Sequence, residues 1–242
     1  MRPDAAGGLR VADARTGSEI TNFIAAPGNF SAWITDNGKF LVTFYGSTVL
    51  DVWNTDTWQK QGSLVLPQHF AWGFTTSQAN SFVISTAQGL QLFDLARLKE
   101  APRQIESPGN VLGVAQSPDG RVLAGAYEDG SVRLWDMSTL QPLESLKGFL
   151  LAATSVAFSS DGRRLAASSS NGQEAVKLWD TETWQEVLTL SGEGSQFFNL
   201  KFSPDGRCMM AINPAGLGYV WTAPAWDQIK AVEAEETRAP QR

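Results

Sequence analysis

The residues that could do chemistry in this chain are few. Val132–Leu146 reads VRLWDMSTLQPLESL and Val176–Leu190 reads VKLWDTETWQEVLTL. A carboxylate held behind an indole could form a catalytic dyad, since acid–base work needs a titratable group fixed in place. His69 is the only histidine and could serve as a base or a metal ligand. Cys208 is the only cysteine, so no ordinary nitrogen–sulfur metal site can be assembled. A Ser/His/Asp triad would have to use His69, and no Gly-x-Ser-x-Gly accompanies it. Neither a Gly-x-x-x-x-Gly-Lys phosphate loop nor an Asp-x-Asp-x-Asp calcium spacing occurs. No cofactor and no metal are expected.

The Trp-Asp pair recurs too often to be a reaction centre. Trp53, Phe93, Trp135, Trp179 and Trp221 form one column, with Ala12 ahead of them, at steps of 40 to 44 residues. The next column holds Asp13, Asn54, Asp94, Asp136, Asp180 and Thr222. A dyad is needed once, whereas six drifting copies behave as structural repeats. The column aromatics are therefore read as packing positions. Asp136 and Asp180 are read as strand-end carboxylates that accept backbone N–H bonds. Trp58, Trp184 and Trp226 stand five residues after the column, where other repeats have Leu98 and Leu140. They read as apolar anchors for the last strand of a repeat; exposed, they would make an aromatic binding patch.

The elements that carry these columns are short strands. SPDG at 117–120, SSDG at 159–162, SPDG at 203–206 and TDNG at 35–38 stand between apolar runs, with SQAN at 77–80 as a worn copy. Asp-Gly and Asn-Gly supply the positive φ that tight hairpins need. Each full repeat reads as four strands; in the third these are VLGVAQ, RVLAGAY, SVRLWD and PLESLKG. The divisions expected are a disordered N-terminus (1–8), a partial repeat (9–28) and five repeats (29–67, 68–109, 110–150, 151–193, 194–222). Pro224 followed by Ala, Glu, Gln and Lys predicts a short helix over 223–236, with 237–242 as a tail.

Composition agrees with an all-β chain. Of 242 residues 43% are apolar, and 22 glycines and 11 prolines punctuate the runs. The net charge is −6 and no Lys/Arg run exists, so neither nucleic acid nor an anionic membrane surface is an expected partner. No apolar signal core follows Met1, and no stretch approaches the ~20 residues of a membrane helix. A single cysteine suits a reducing compartment, and a cytoplasmic location is expected.

On Ser-Pro-Asp-Gly, Asp-Gly and Val-x-Leu-Trp-Asp in this order, the chain resembles the WD-repeat β-propellers from Leu9 to about Thr222. The resemblance implies antiparallel four-stranded blades around an axis: five repeats plus an N-terminal half blade. Family blades often carry Gly-His near the end of the fourth strand, and that His joins a buried network with the Trp. Here those slots read Gly148-Phe149 and Gly192-Glu193, and His69 is off register, so rigidity must come from packing. The segment Trp221–Glu236 is similar to the C-terminal ends of WD-repeat arrays in large bacterial proteins, some with a Ser/Thr kinase domain at the N-terminus. Because the first repeat lacks its opening strands and the last lacks its closing one, the chain is expected to be the C-terminal part of a larger propeller.

A non-catalytic interaction scaffold is the expected function. The inner strands FSAWI, FAWGF, VLGVA, TSVAF and NLKF carry no acid–base residue apart from Lys201, against a propeller enzyme with a channel site. Loops on a rigid body carry recognition. The candidate rim comprises Tyr45, Glu128, Asp129, Phe149, Asn171, Glu174, Asn213 and Leu217. The expected partners are proteins, or an upstream domain of the same polypeptide.

Overall fold

The computed structural model describes residues 2–3, 9–23, 31–35, 38–44, 48–66, 70–75, 80–86 and 89–222. Every regular element among them is a strand. β1 (Arg2–Pro3), β2 (Leu9–Ala12) and β3 (Glu19–Phe23) form the first sheet. β4 (Ser31–Ile34), β5 (Phe40–Phe44), β6 (Val49–Asn54) and β7 (Gln59–Val65) form the second. β8 (Phe70–Thr75), β9 (Ser81–Thr86), β10 (Gly89–Asp94) and β11 (Arg103–Glu106) form the third. β12 (Val111–Gln116), β13 (Val122–Tyr127), β14 (Ser131–Asp136) and β15 (Pro142–Lys147) form the fourth. β16 (Ala153–Phe158), β17 (Arg164–Ser169), β18 (Val176–Asp180) and β19 (Glu186–Leu190) form the fifth. β20 (Phe198–Phe202), β21 (Cys208–Ile212) and β22 (Gly218–Thr222) form the sixth. All pairings are antiparallel between chain neighbours. The chain divides into two compact units, Met1–Asn110 and Val111–Arg242.

One expectation changes here. Arg2–Pro3 pairs with Leu9–Ala12, so the first sheet gains a third strand inside the segment expected to be disordered. A two-residue strand has no periodicity to read, which is why the sequence did not disclose it. The helix expected over 223–236 and the tail lie outside the described residues, as do Tyr45, His69 and Trp226.

The hairpins form for local reasons. The Ser117 amide bonds the Val122 carbonyl at 2.8 Å, and the Ser117 hydroxyl accepts from the Val122 amide at 2.9 Å. Asp119 accepts from that hydroxyl at 2.6 Å and from the Arg121 amide at 3.0 Å. Gly120 closes the turn at φ +73°. Ser159–Arg164 and Ser203–Cys208 repeat the arrangement with the same partners. Each Ser-x-Asp-Gly is thus a self-contained hydrogen-bonded corner.

The middle strands are buried on both faces, as small apolar runs require. Leu123, Ala124, Ala126 and Tyr127 in β13, and Leu165, Ala166 and Ala167 in β17, have no exposed surface. Within each compact unit, neighbouring sheets pack face to face. Val42, Leu50 and Leu64 of the second sheet meet Phe82, Ile84 and Phe93 of the third. Ala124, Val132 and Leu134 of the fourth meet Val156, Leu165 and Trp179 of the fifth. Ala157 and Leu178 of the fifth meet Leu200, Met209 and Ala211 of the sixth. The result is an all-β fold of small antiparallel sheets, four of them four-stranded and the first and sixth three-stranded among the described residues.

Candidate interaction site

The Trp column is interior. Trp135 is 3% exposed and Trp179 2%, while Trp53 and Trp221 are half-buried. Trp179 lies under Gly148, where an added Cβ would stand 2.8 Å from the ring. Phe149 meets the same indole edge to face, with centroids 6.1 Å apart. The Gly-Phe pair thus joins this blade to the next through an aromatic contact. Trp135 lies over Gly125 in the same way, and the Trp53 indole N–H donates to the Thr43 hydroxyl at 2.9 Å.

The Asp column caps turns. Asp136 Oδ1 accepts from the amides of Ser138 and Thr139 at 2.9 and 2.8 Å, and Asp180 Oδ1 from those of Glu182 and Thr183 at 3.0 and 3.1 Å. Asn54 and Asp13 do the same. The Ser138 hydroxyl, then the Thr139 amide, hold the Asp136 carboxyl down to about 2. The Thr183 amide holds Asp180 below the usual range, despite some burial. A general base for neutral pH needs the opposite shift. Among the described residues, no group of three or more His, Cys, Asp or Glu is placed to hold a metal ion.

Each capped turn ends on a residue at positive φ: Trp58 at +55°, Leu140 at +60° and Trp184 at +55°. That conformation costs a side-chain-bearing residue roughly 1–2 kcal/mol, and packing of the side chain offsets it. Trp58 packs with Val11 and Leu41, and Trp184 packs against the core shared by the fourth and fifth sheets. Leu98, at the equivalent place in the third sheet, lies over Gly62 of β7.

At one end of the sheets the connections touch. An added Cβ on Gly130, in the β13–β14 turn at φ +84°, would meet the Phe149 carbonyl at 2.5 Å and that of Leu151 at 2.7 Å. Gly172, between β17 and β18, has the same relation to the carbonyls of Gly194 and Gly192. Only glycine lets the two connections approach this closely, so they make a single rim. A groove of about 440 Å³ runs along it, lined by Asp129, Arg133, Lys147, Leu150 and Glu174 among others. Arg133 pairs with Asp129 at 2.6 Å and lies 4.0 Å over the Tyr127 ring. Glu174 accepts from the Leu150 amide and pairs with Lys177, which also reaches Glu186 at 3.1 Å. Leu150 is 84% exposed beside these charges, and Leu151 is 53% exposed.

Of the residues read as rim positions, the structure brings Asp129, Phe149 and Glu174 together at this groove. Glu128 is exposed next to them. Phe149 is half-buried and turned onto Trp179. Asn171 caps its own loop, accepting from Gln173 at 3.0 Å. Asn213 is buried and accepts from the Leu217 amide, while Leu217 is exposed. Arg133 and Lys177 were missed. Their signal is the cation inside Val-x-Leu-Trp-Asp, which the reading absorbed into the repeat.

The family model for the WD domain, G-beta repeat, matches residues 102–136 and 140–180. The chain carries WD40 repeats. Each match begins at the outer strand of one sheet and ends on the third strand of the next, so a sequence repeat straddles two sheets. The WD40 chain is 25% identical over 164 residues to autophagy-related protein 16 of Arabidopsis thaliana, covering 66% of this chain. It spans 32% of that relative's length. Among solved structures it is similar to a chain of the mitotic checkpoint complex, with TM-score 0.73 and 20% identity, over 90% of this chain and 71% of that one.

Proposed function

We propose that this WD40 chain is a non-catalytic scaffold that binds protein through the rim formed by the connections of the fourth and fifth sheets. The observation that carries this is Leu150, almost wholly exposed on a backbone clamped by Gly130, beside the ion pairs of Arg133 and Glu174. An exposed apolar side chain among charged groups offers a partner both apolar surface to bury and charges that fix its register. The depressed carboxylate pKa values suit hydrogen-bonded corners and not acid–base work. The similar solved chain comes from a protein complex, which supports the same reading. The interaction would take place in a reducing compartment such as the cytoplasm, where a lone thiol persists. Since the curated relative is a longer protein, the reading extends to service as the docking part of a larger polypeptide.

The test is capture with the full chain, using photo-crosslinking at Lys147 and the double variant Leu150→Asp, Leu151→Asp. The partners crosslinked by the wild type should be lost from the variant, with an unchanged melting temperature. Retention of the same partners by a folded variant would assign binding to another face.

A further inference from the structure

The hairpin of β14 and β15 has two unlike faces. Val132 pairs with Leu146 across it, and both are buried. On the other face Ser131 pairs with Lys147 and Arg133 with Ser145, so four polar side chains stand together. This face lines the rim groove, with Phe149, Leu150 and Glu174 brought in by the neighbouring connections. Most of the groove's polar groups are already matched. One Asp129 oxygen accepts from the Ser131 amide at 2.9 Å and its hydroxyl at 2.6 Å, and the other accepts from Arg133 at 2.6 Å. The Ser131 hydroxyl accepts in turn from Arg133 Nε at 3.1 Å. Glu174 is held by Lys177 at 3.3 Å and by the Leu150 amide. Lys147 differs from these. It is exposed on the outer strand and forms no ion pair among the described residues.

We infer, on the reading that this rim binds protein, that the groove takes an acidic and apolar segment of the partner, with a carboxylate on Lys147 and an apolar side chain over Leu150. Charge complementarity selects this occupant. The two carboxylates of the groove are neutralised within the chain, Asp129 by Arg133 and Glu174 by Lys177, so the charge left over is the Lys147 ammonium. In a chain of net charge −6 that is a local exception. The Ser145 hydroxyl, two residues before Lys147 on the same face, adds a neutral donor for the same carboxylate. A basic segment would have to break an internal pair to find a carboxylate. Lys177, with a side chain only 11% exposed, would then lose one of its two partners. Leu150 follows three residues after Lys147, and its exposed surface is what a partner's apolar side chain removes from water. Gly130 fixes the backbone at Phe149 and Leu151, on either side of Leu150, so little order remains to be lost on binding.

Selection of short random peptides, displayed on phage, against the full chain reads this preference without a known partner. Binders should be enriched in Asp or Glu close to Leu, Ile or Phe. A synthetic copy of an enriched peptide should bind Lys147→Glu about tenfold more weakly than the wild type and Lys147→Arg almost as tightly as the wild type. Changing the peptide's acidic residue to Lys should restore its binding to Lys147→Glu, which a merely structural effect of the substitution would not do. Lys147 is exposed, so both variants should keep the wild-type melting temperature. Binding undiminished in Lys147→Glu would overturn the inference. So would neutral or basic binders that Leu150→Asp, Leu151→Asp abolishes, although these would leave the rim as the binding face. Acidic binders that survive the double variant would move the site to another face, and both readings would fall. A selection without binders would overturn the acidic segment alone, since crosslinked capture of a folded partner would still uphold the rim.

Discussion

The fifth and sixth sheets are written with nearly the same motif and live in different surroundings. In β17 every position from Leu165 to Ser169 is buried, while in β21 and β22 Met210, Ile212 and Val220 are exposed, Val220 by 63%. Trp179 is closed in by Gly148 and Phe149, whereas Trp221 shares a half-buried stack with Tyr219 at 6.0 Å. The fifth sheet also holds a buried polar link: Ser168 donates to the Phe197 carbonyl at 2.7 Å and meets the Thr154 hydroxyl at 3.1 Å. A repeat specifies its own corners, but its burial depends on what lies on each face. The lesson is that equal motifs contribute unequally to stability.

The largest effect that would break this comparison is truncation of the column. Trp179→Ala should cost about 3–5 kcal/mol, the range for a buried aromatic. Trp221→Ala should cost clearly less. Urea unfolding of both reads the difference, and equal losses would mean that the sixth sheet is as enclosed as the fifth.

Glycines come next. Gly130→Ala drives a Cβ into two carbonyls and should cost about 1–3 kcal/mol with local distortion. Gly206→Ala meets nothing within 4 Å and bears only the positive-φ penalty, about 1 kcal/mol. A lower melting temperature for Gly206→Ala than for Gly130→Ala would contradict the clamped rim.

At Trp184 the backbone and the side chain oppose each other. Trp184→Ala loses packing and keeps the positive φ, whereas Trp184→Gly loses packing and relieves it. The glycine variant should be the more stable by about 1 kcal/mol. The reverse order would show that the backbone relaxes once the indole is gone.

Acid is the gentlest probe. Asp136, Asp180 and Asp205 are all depressed, Asp136 to about 2 and Asp205 chiefly by the Ser203 hydroxyl. Between the folded and unfolded values the unfolded chain binds more protons, so this stability is present above pH 3.8 and is lost as pH falls toward about 2. The urea midpoint should drop over that window, and Asp136→Asn should flatten the drop. An unchanged slope in the variant would mean that other carboxylates govern acid unfolding.

Most of the fold was legible because its signals are local. Ser117, Asp119 and Gly120 bond to one another within a few residues, so their order alone announces the corner. The same holds for Asp136 with Ser138 and Thr139. The strand at Arg2–Pro3 was not legible, because a partner and not a pattern makes it a strand. Among the rim residues, Asp129 and Glu174 were readable as loop carboxylates. That Phe149 turns onto Trp179 while Leu150 faces solvent was not, since both are apolar residues in one short connection.

Repeat number, strand order and turn chemistry were written in residue types, since hydrogen bonds between near neighbours depend only on those neighbours. The depth of each tryptophan, the meeting of Asp129 with Glu174 across two repeats, and the exposure of Leu150 were decided by folding. Burial is set by residues some 40 positions away, one repeat on, and no short segment of a drifting repeat records which face its neighbour will cover.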